Sequence, residues 1–361
     1  MTDAAEAAQW QAWVKDTGWK VIAPAAPAAN NIDARVLALA AAVKQAVQSG
    51  EVDPNRIYVA GRGSGTAAVF YTISRIPDLW AAGIGLGGEP RDAIDTGRIF
   101  TANFTNTPVL WVSGNAEDDE QAAKLRTNGM NVEWRSTNGL TDAAVFAWLN
   151  QHVRDPFPLS VDCETDSPTF ASCYWLQPVK FDAAETNDVL PGSRVLGGSG
   201  ATLALGGFGY TLDDPGPGLA VSFLPDKYSG PLKAGDRITA LDGKPIINAR
   251  QFNETLNKIT EEKNVVVMVE RGKQRMRVES RIVLPRKDAS RVTARVQGRY
   301  EPADKQLVIA SRSVTQMRLT VPEQWAGAGL FWNGLSIERI DEAGCVLLTI
   351  EKEFLHAAAC Q

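Results

Sequence analysis

Residues 59–67 read VAGRGSGTA, and the reading of this stretch decides the fold of the first part of the chain. The run RIYVA (56–60) leads in and predicts a strand, while AAVFYTISRI (67–76) leads out and predicts a helix. A tight glycine-rich turn joins them. In the pattern G-x-S-x-G, such a turn carries a nucleophilic serine between two glycines. Here the frame is Gly61-Arg62-Gly63-Ser64-Gly65, so the slot for the nucleophile holds Gly63 and a serine follows one residue late. Moving the frame to centre Ser64 would put Arg62 in the first glycine's place, where a tight turn favours a small residue.

Strand and helix patterns alternate on both sides of this turn, over residues 1–152. WKVIAP (19–24) predicts a short strand, and NIDARVLALAAAVKQAVQSG (31–50) a helix closed by Gly50. AAGIGLGG (81–88), TPVLWVSG (107–114) and NVEWRS (131–136) predict further strands, separated by the helical run EDDEQAAKLRTNG (117–129) and followed by TDAAVFAWLNQH (141–152). Short apolar strands alternating with helices imply a parallel sheet covered on both faces.

Residues 153–191 are rich in Pro, Ser, Asp and Thr around one apolar island, CYWLQPV (173–179), and read as a linker with the first strand of a β-domain. Residues 192–286 form another unit, with strands at GGFGYTLDD and GLAVSFLP, an amphipathic helix at NARQFNETLNKITEE and a hairpin turning at Arg271-Gly272. Residues 287–361 are strand-rich, and Asn333-Gly334 is their strongest hairpin signal. The expected class is α/β for the first part, followed by a small β-sandwich.

Composition narrows the function. The chain has 361 residues, 44% of them hydrophobic, with ten tryptophans, enough for about two or three packed domains. A net charge of −5 argues against a dedicated nucleic-acid binder. No apolar run reaches the roughly 18 residues of a membrane span. No signal peptide is visible at MTDAAEAAQW, as would also hold for a mature, cleaved form. Cys163, Cys173, Cys345 and Cys360 do not have zinc spacing, and His152 and His356 are the two histidines, so no metal or other cofactor is expected. Two disulfides would suit a periplasmic or secreted protein; four cysteines allow three pairings, of which the local ones are simplest, and four reduced thiols are the alternative.

The stretch VDPNRIYVAGRGSGTAAVFYTISRIPDLWAAGIGLGG resembles the elbow region of α/β-hydrolases of the polyhydroxyalkanoate depolymerase and feruloyl-esterase type, over about residues 18–152. The resemblance implies a triad. Its acid should follow TPVLWVSG, where Glu117 and Asp118 stand, and its histidine should lie in TNGLTD, where Leu140 stands instead. His152 comes more than ten residues later, and the early strands that supply half of an oxyanion hole are missing. The implied fold is a truncated α/β-hydrolase-like sheet with a degenerate site. A hydroxyl without a neighbouring imidazole lacks a base of suitable pKa. A dinucleotide fingerprint would need glycine at Thr66, and no P-loop lysine is present. The turn's amides could hold an anion, or it could be purely structural.

SGPLKAGDRITALDGKPIINARQFNETL resembles the core of bacterial PDZ domains. In that resemblance Gly207, Phe208, Gly209 and Tyr210 match the carboxylate-binding loop written G-L-G-F. It implies a groove for the C-terminus of a protein or peptide, with the following strand pairing to the ligand. Residues 288–350 resemble the small β-domain of depolymerase-like proteins, into which the PDZ-like unit would be inserted. Two function classes follow: a non-catalytic pseudo-hydrolase scaffold that binds peptides, or an esterase using Ser64 with Glu117 or Asp118. The oligomeric state is not legible.

Overall fold

The computed structural model describes residues 4–24, 31–195, 201–210, 214–225, 228–284 and 292–360. The chain divides into two compact units, residues 1–195 with 290–361, and residues 196–289.

The first unit begins with α1 (Ala4–Val14), α2 (Ile32–Gln48), β1 (Tyr58–Arg62), α3 (Gly65–Arg75), β2 (Ala82–Leu86), α4 (Arg91–Asp95), β3 (Val109–Ser113), α5 (Glu117–Thr127), β4 (Val132–Ser136) and α6 (Asp142–Asn150). The strands are parallel and lie in sequence order, β1-β2-β3-β4. Alternation splits the buried strand β3 between two cores. Val109 and Trp111 join the side chains of α2, α3 and α5, whereas Leu110 and Val112 join those of α6. The sheet is therefore covered on both faces. Helix α3 lies close against it because Gly83 and Gly85 have no Cβ: one at Gly83 would stand 2.5 Å from Ile73 Cδ1, and one at Gly85 2.6 Å from Thr66 Cγ2. Asn31 and Thr141 cap α2 and α6, accepting from the amides of Ala34 and Ala144.

One expected strand does not form. Trp19–Pro24 runs without joining any ladder, because no described strand lies beside it and a strand exists only through a partner.

The rest of the first unit is a pair of sheets. Its strands are β5 (Ser160–Thr165) and β6 (Leu176–Phe181), then, beyond the second unit, β14 (Ala294–Glu301), β15 (Gln306–Arg312), β16 (Val314–Val321), β17 (Ala328–Trp332), β18 (Leu335–Ile340), β19 (Gly344–Glu351) and β20 (Phe354–Ala359). One sheet has the order β18-β17-β15-β14-β5 and the other β20-β19-β16-β6. All pairs are antiparallel except β15 with β17. Side chains of both sheets share one core, including Val161, Val296, Leu319, Trp332 and Leu348. Residues 153–191 thus hold two strands rather than one. β5 pairs with β14 and β6 with β16, so the second unit interrupts this pair of sheets. The apolar island makes its strand only from Leu176, since Tyr174 (φ 56°) sits in a tight turn closed by reciprocal Cys173–Leu176 backbone bonds. Disulfides join Cys163 to Cys173 and Cys345 to Cys360.

The second unit comprises β7 (Thr202–Leu203), β8 (Gly209–Tyr210), β9 (Leu219–Phe223), β10 (Arg237–Leu241), β11 (Lys244–Pro245), α7 (Ala249–Asn257), β12 (Lys263–Arg271) and β13 (Gln274–Val283). The order is β7-β13-β12-β10-β9-β8, with β11 paired to β10. Asp242 (φ 50°) and Gly243 (φ 76°) make the left-handed two-residue turn between β10 and β11. Asp236 is buried and held by Arg271 through a fork of bonds at 2.8 and 2.7 Å, which explains an aspartate at the entry of β10.

Candidate functional site

The glycine-rich turn has the shape of an elbow. β1 ends at Arg62, Gly63 takes φ 51°, and Ser64 stands at the N-cap of α3. The Gly63 amide donates to Leu86 O at 2.8 Å, and its carbonyl accepts from Thr66 N at 3.0 Å. A Cβ at Gly61 would come within 2.3 Å of Gly65 O, so strand and helix meet where only glycine fits. At Gly63 the space is open: no atom of the described residues lies within 4 Å of a Cβ built there. Gly63 and Ser64 are exposed.

The acids stand where the sequence puts them, just beyond β3. Glu117 is exposed; Asp118 is buried in the first turn of α5, and its carboxylate accepts from Asn115 Nδ2 at 3.1 Å. β2 lies between β1 and β3, so the elbow and these carboxylates are about two strand spacings, roughly 10 Å, apart. Leu140, in the loop after β4, packs into the core around Trp148. His152 lies at the other end of β1: its carbonyl accepts from the hydroxyl of Tyr58, the first residue of β1, at 2.9 Å. Its ring rests on Trp148 at 4.3 Å with a buried Nε2 that has no hydrogen-bond partner among the described residues, and burial pushes its pKa down against the opposing pull of Glu133. His356 lies on β20 opposite Thr349. Neither imidazole sits on the turn that follows β1. Among the described residues, no group of His, Cys, Asp or Glu side chains converges as a metal site.

In the second unit, Gly207 and Phe208 lead into β8, which Gly209 and Tyr210 form against β9. The left-handed residue is Gly206 (φ 81°), one position before the predicted loop. Tyr228 fixes the chain just upstream, donating from its hydroxyl to Leu205 O at 2.5 Å. A Cβ at Gly209 would stand 3.1 Å from Phe223 Cβ, so a larger side chain there would press on β9. Thr211, Leu212 and Asp213, expected to extend the strand, lie outside the described residues. Helix α7 stands beside β8. The Tyr210 hydroxyl donates to Asn253 Oδ1 at 2.6 Å, and the Tyr210 ring meets that of Phe252 edge to face at 6.1 Å. Gly206, Tyr228 and Asn253 were not singled out from sequence. A second glycine beside Gly207 was the available signal for Gly206; nothing in the sequence pairs Asn253 with Tyr210.

No family model matches the chain. No curated protein matches it either. Among solved structures, that of a variant of SOBER1 from Arabidopsis thaliana is similar to part of the chain, with 18% identity and a TM-score of 0.27, over 33% of this chain and 63% of that one. No helix among the described residues is long and apolar enough to cross a membrane.

Proposed function

We propose that this chain is a non-catalytic, hydrolase-type frame carrying a PDZ-like module that binds the C-terminus of a protein or peptide. The observation that carries the reading is the placing of β8: it ends the strand path of its sheet, follows a glycine pair, and stands beside α7. An edge strand of this kind accepts an extended ligand as an added strand, and amides following a glycine turn are donors for a terminal carboxylate. On the other unit, an elbow with Gly63 in the central slot, and with His152 at the opposite end of β1, supports the absence of ester hydrolysis. Two disulfides support a periplasmic or secreted location.

The test is a peptide library with free and amidated C-termini. Charge-assisted bonds to amides contribute about 1.5–3 kcal/mol each, so amidation should weaken binding at least about tenfold. Gly209→Val should do the same. Equal binding of acid and amide would sink the reading. Turnover of p-nitrophenyl or feruloyl esters that Ser64→Ala abolishes would instead establish the esterase, with Ser64 and Glu117 or Asp118.

A further inference from the structure

We propose that the free edge of β1 receives an extended apolar segment of another polypeptide, docked parallel to β1 as a fifth strand of the sheet, with a carboxylate at its elbow end. A cavity of about 550 Å3 runs along β1, from Ile57 at its start to Ser64 in the elbow. Its walls come from both layers of the fold, with Val36, Leu39 and Val69 from α2 and α3, and Phe146 and Leu149 from α6. It occupies the position of the next strand between those layers.

Backbone chemistry distinguishes a peptide from any other apolar occupant. Ile57 O accepts from Ala81 N at 2.7 Å and Gly63 N donates to Leu86 O at 2.8 Å, so the odd-numbered residues of β1 face β2. By the two-residue period, the amides and carbonyls of Tyr58, Ala60 and Arg62 face away from β2, and among the described residues β2 is the one strand paired with β1. The run Trp19–Pro24 also lines the cavity, and within it residues 20–24 make no backbone hydrogen bond among the described residues. Among the described residues, two rows of main-chain donors and acceptors beside one slot thus lack a ladder partner. A lipid or drug-like molecule would fill the volume and leave both rows unanswered; a strand between them answers both. The five residues of β1 set its length at about five residues, roughly 17 Å.

Neighbours and charge set its direction. All four strands of the sheet are parallel, and a parallel addition continues the pattern. At the elbow end stand the electropositive N-terminus of α3 and, beside the cavity, Arg62, whose guanidinium lies over the rings of Trp10 and Trp13 at 4.8 and 5.4 Å and whose buried Nε has no hydrogen-bond partner among the described residues. At the other end the charges are already paired, Lys20 with Glu51 and Arg56 with Asp53. An occupant with apolar side chains on both faces and an acidic C-terminal end complements this slot.

The probe is an N-acetylated peptide with a lysine-flanked core of five alternating valines and isoleucines, ending in glutamate; a control ends in amidated lysine. Amide hydrogen exchange is followed at Ala60 and Arg62 of the full chain. The glutamate peptide should slow both amides at least tenfold and the lysine control much less. Ala60→Pro removes one slot-facing N–H without touching the bonds to β2, and should abolish the protection. Should that variant lose its folding transition, Ala60→Lys, a charge at an exposed edge position, serves instead. Unchanged exchange overturns the proposal. So does equal protection by both peptides, protection already present in the chain alone, or saturable binding of cis-parinaric acid that the peptide does not displace.

Discussion

Arg75 of α3 and Asp166, just past β5, form an ion pair between side chains 0% and 1% exposed, Nη1 to Oδ1 2.6 Å. The pair is one edge of a larger cluster. Arg98 reaches Asp166 at 2.9 Å and Asp33 at 2.7 Å, and the Tyr71 hydroxyl donates to Asp33 at 2.7 Å. Phe170 covers the Arg75 guanidinium at 4.1 Å. Within the first unit, this cluster ties α2 and α3 to the chain leaving β5.

A buried charge that loses its partner costs far more than the pair contributes. Asp166→Ala should therefore destabilise the chain by about 3–5 kcal/mol in urea unfolding. Adding Arg75→Met should recover part of that loss, because it removes a buried cation left with the longer contact to Asp33, at 3.4 Å. Strictly additive losses in the double variant would show that the two side chains are not coupled.

The elbow makes a contrast between two glycines. At Gly61 a methyl group would collide with the backbone of Gly65, which cannot swing aside as a side chain can. Gly61→Ala should cost about 3 kcal/mol. At Gly63 the only obstacle is the left-handed backbone, since a Cβ meets open space. Gly63→Ala should cost about 1 kcal/mol and Gly63→Asn less, because asparagine tolerates that conformation. Thermal or urea unfolding of the three variants checks the order, and an equal loss at both sites would contradict the close approach of Gly61 to Gly65.

His152 gives the stability a pH dependence with a definite sign. Burial lowers its pKa below the ordinary value of 6.5, and Glu133 opposes this less strongly. Between the lowered value and 6.5 the unfolded chain binds a proton that the folded chain does not. Its contribution is therefore complete above about pH 6.5 and declines as the pH falls below it. In unfolding experiments from pH 7.5 to 5, His152→Gln should lose stability less steeply than the parent. Parallel slopes would remove His152 as the cause.

Where the sequence was legible, local chemistry was the reason. Alternation and the Asn-Gly pair marked the turn at Asn333-Gly334, where both residues take the left-handed backbone. The strand–turn–helix around Gly63 was equally plain, because the glycine frame is a local steric requirement. Trp19–Pro24 was misread because its apolar pattern carries no information about whether a neighbouring strand exists to receive it. Ser160–Thr165 was passed over as linker because polar Ser, Asp, Glu and Thr mask the buried side of β5, whose partner β14 lies beyond a whole inserted unit. The Arg75–Asp166 pair and the Tyr210–Asn253 bond were invisible for the same reason: each joins residues that no local pattern brings together.

The Tyr210–Asn253 bond bears on the proposed peptide groove. It links β8 to α7, the two elements between which a ligand strand would lie. A peptide entering there has to separate the phenol from the amide, so the bond opposes binding by about the net value of one neutral hydrogen bond, 1 kcal/mol. Tyr210→Phe keeps the ring against Phe252 and removes only the hydroxyl. Affinity for a C-terminal peptide should then rise about fivefold, as 1 kcal/mol predicts when 1.4 kcal/mol is tenfold. Asn253→Ala should raise it similarly, and the double variant should gain no more than either alone, since one bond is lost in all three. Calorimetric titration measures this directly. A fall in affinity would mean that the hydroxyl contacts the ligand rather than holding the groove closed.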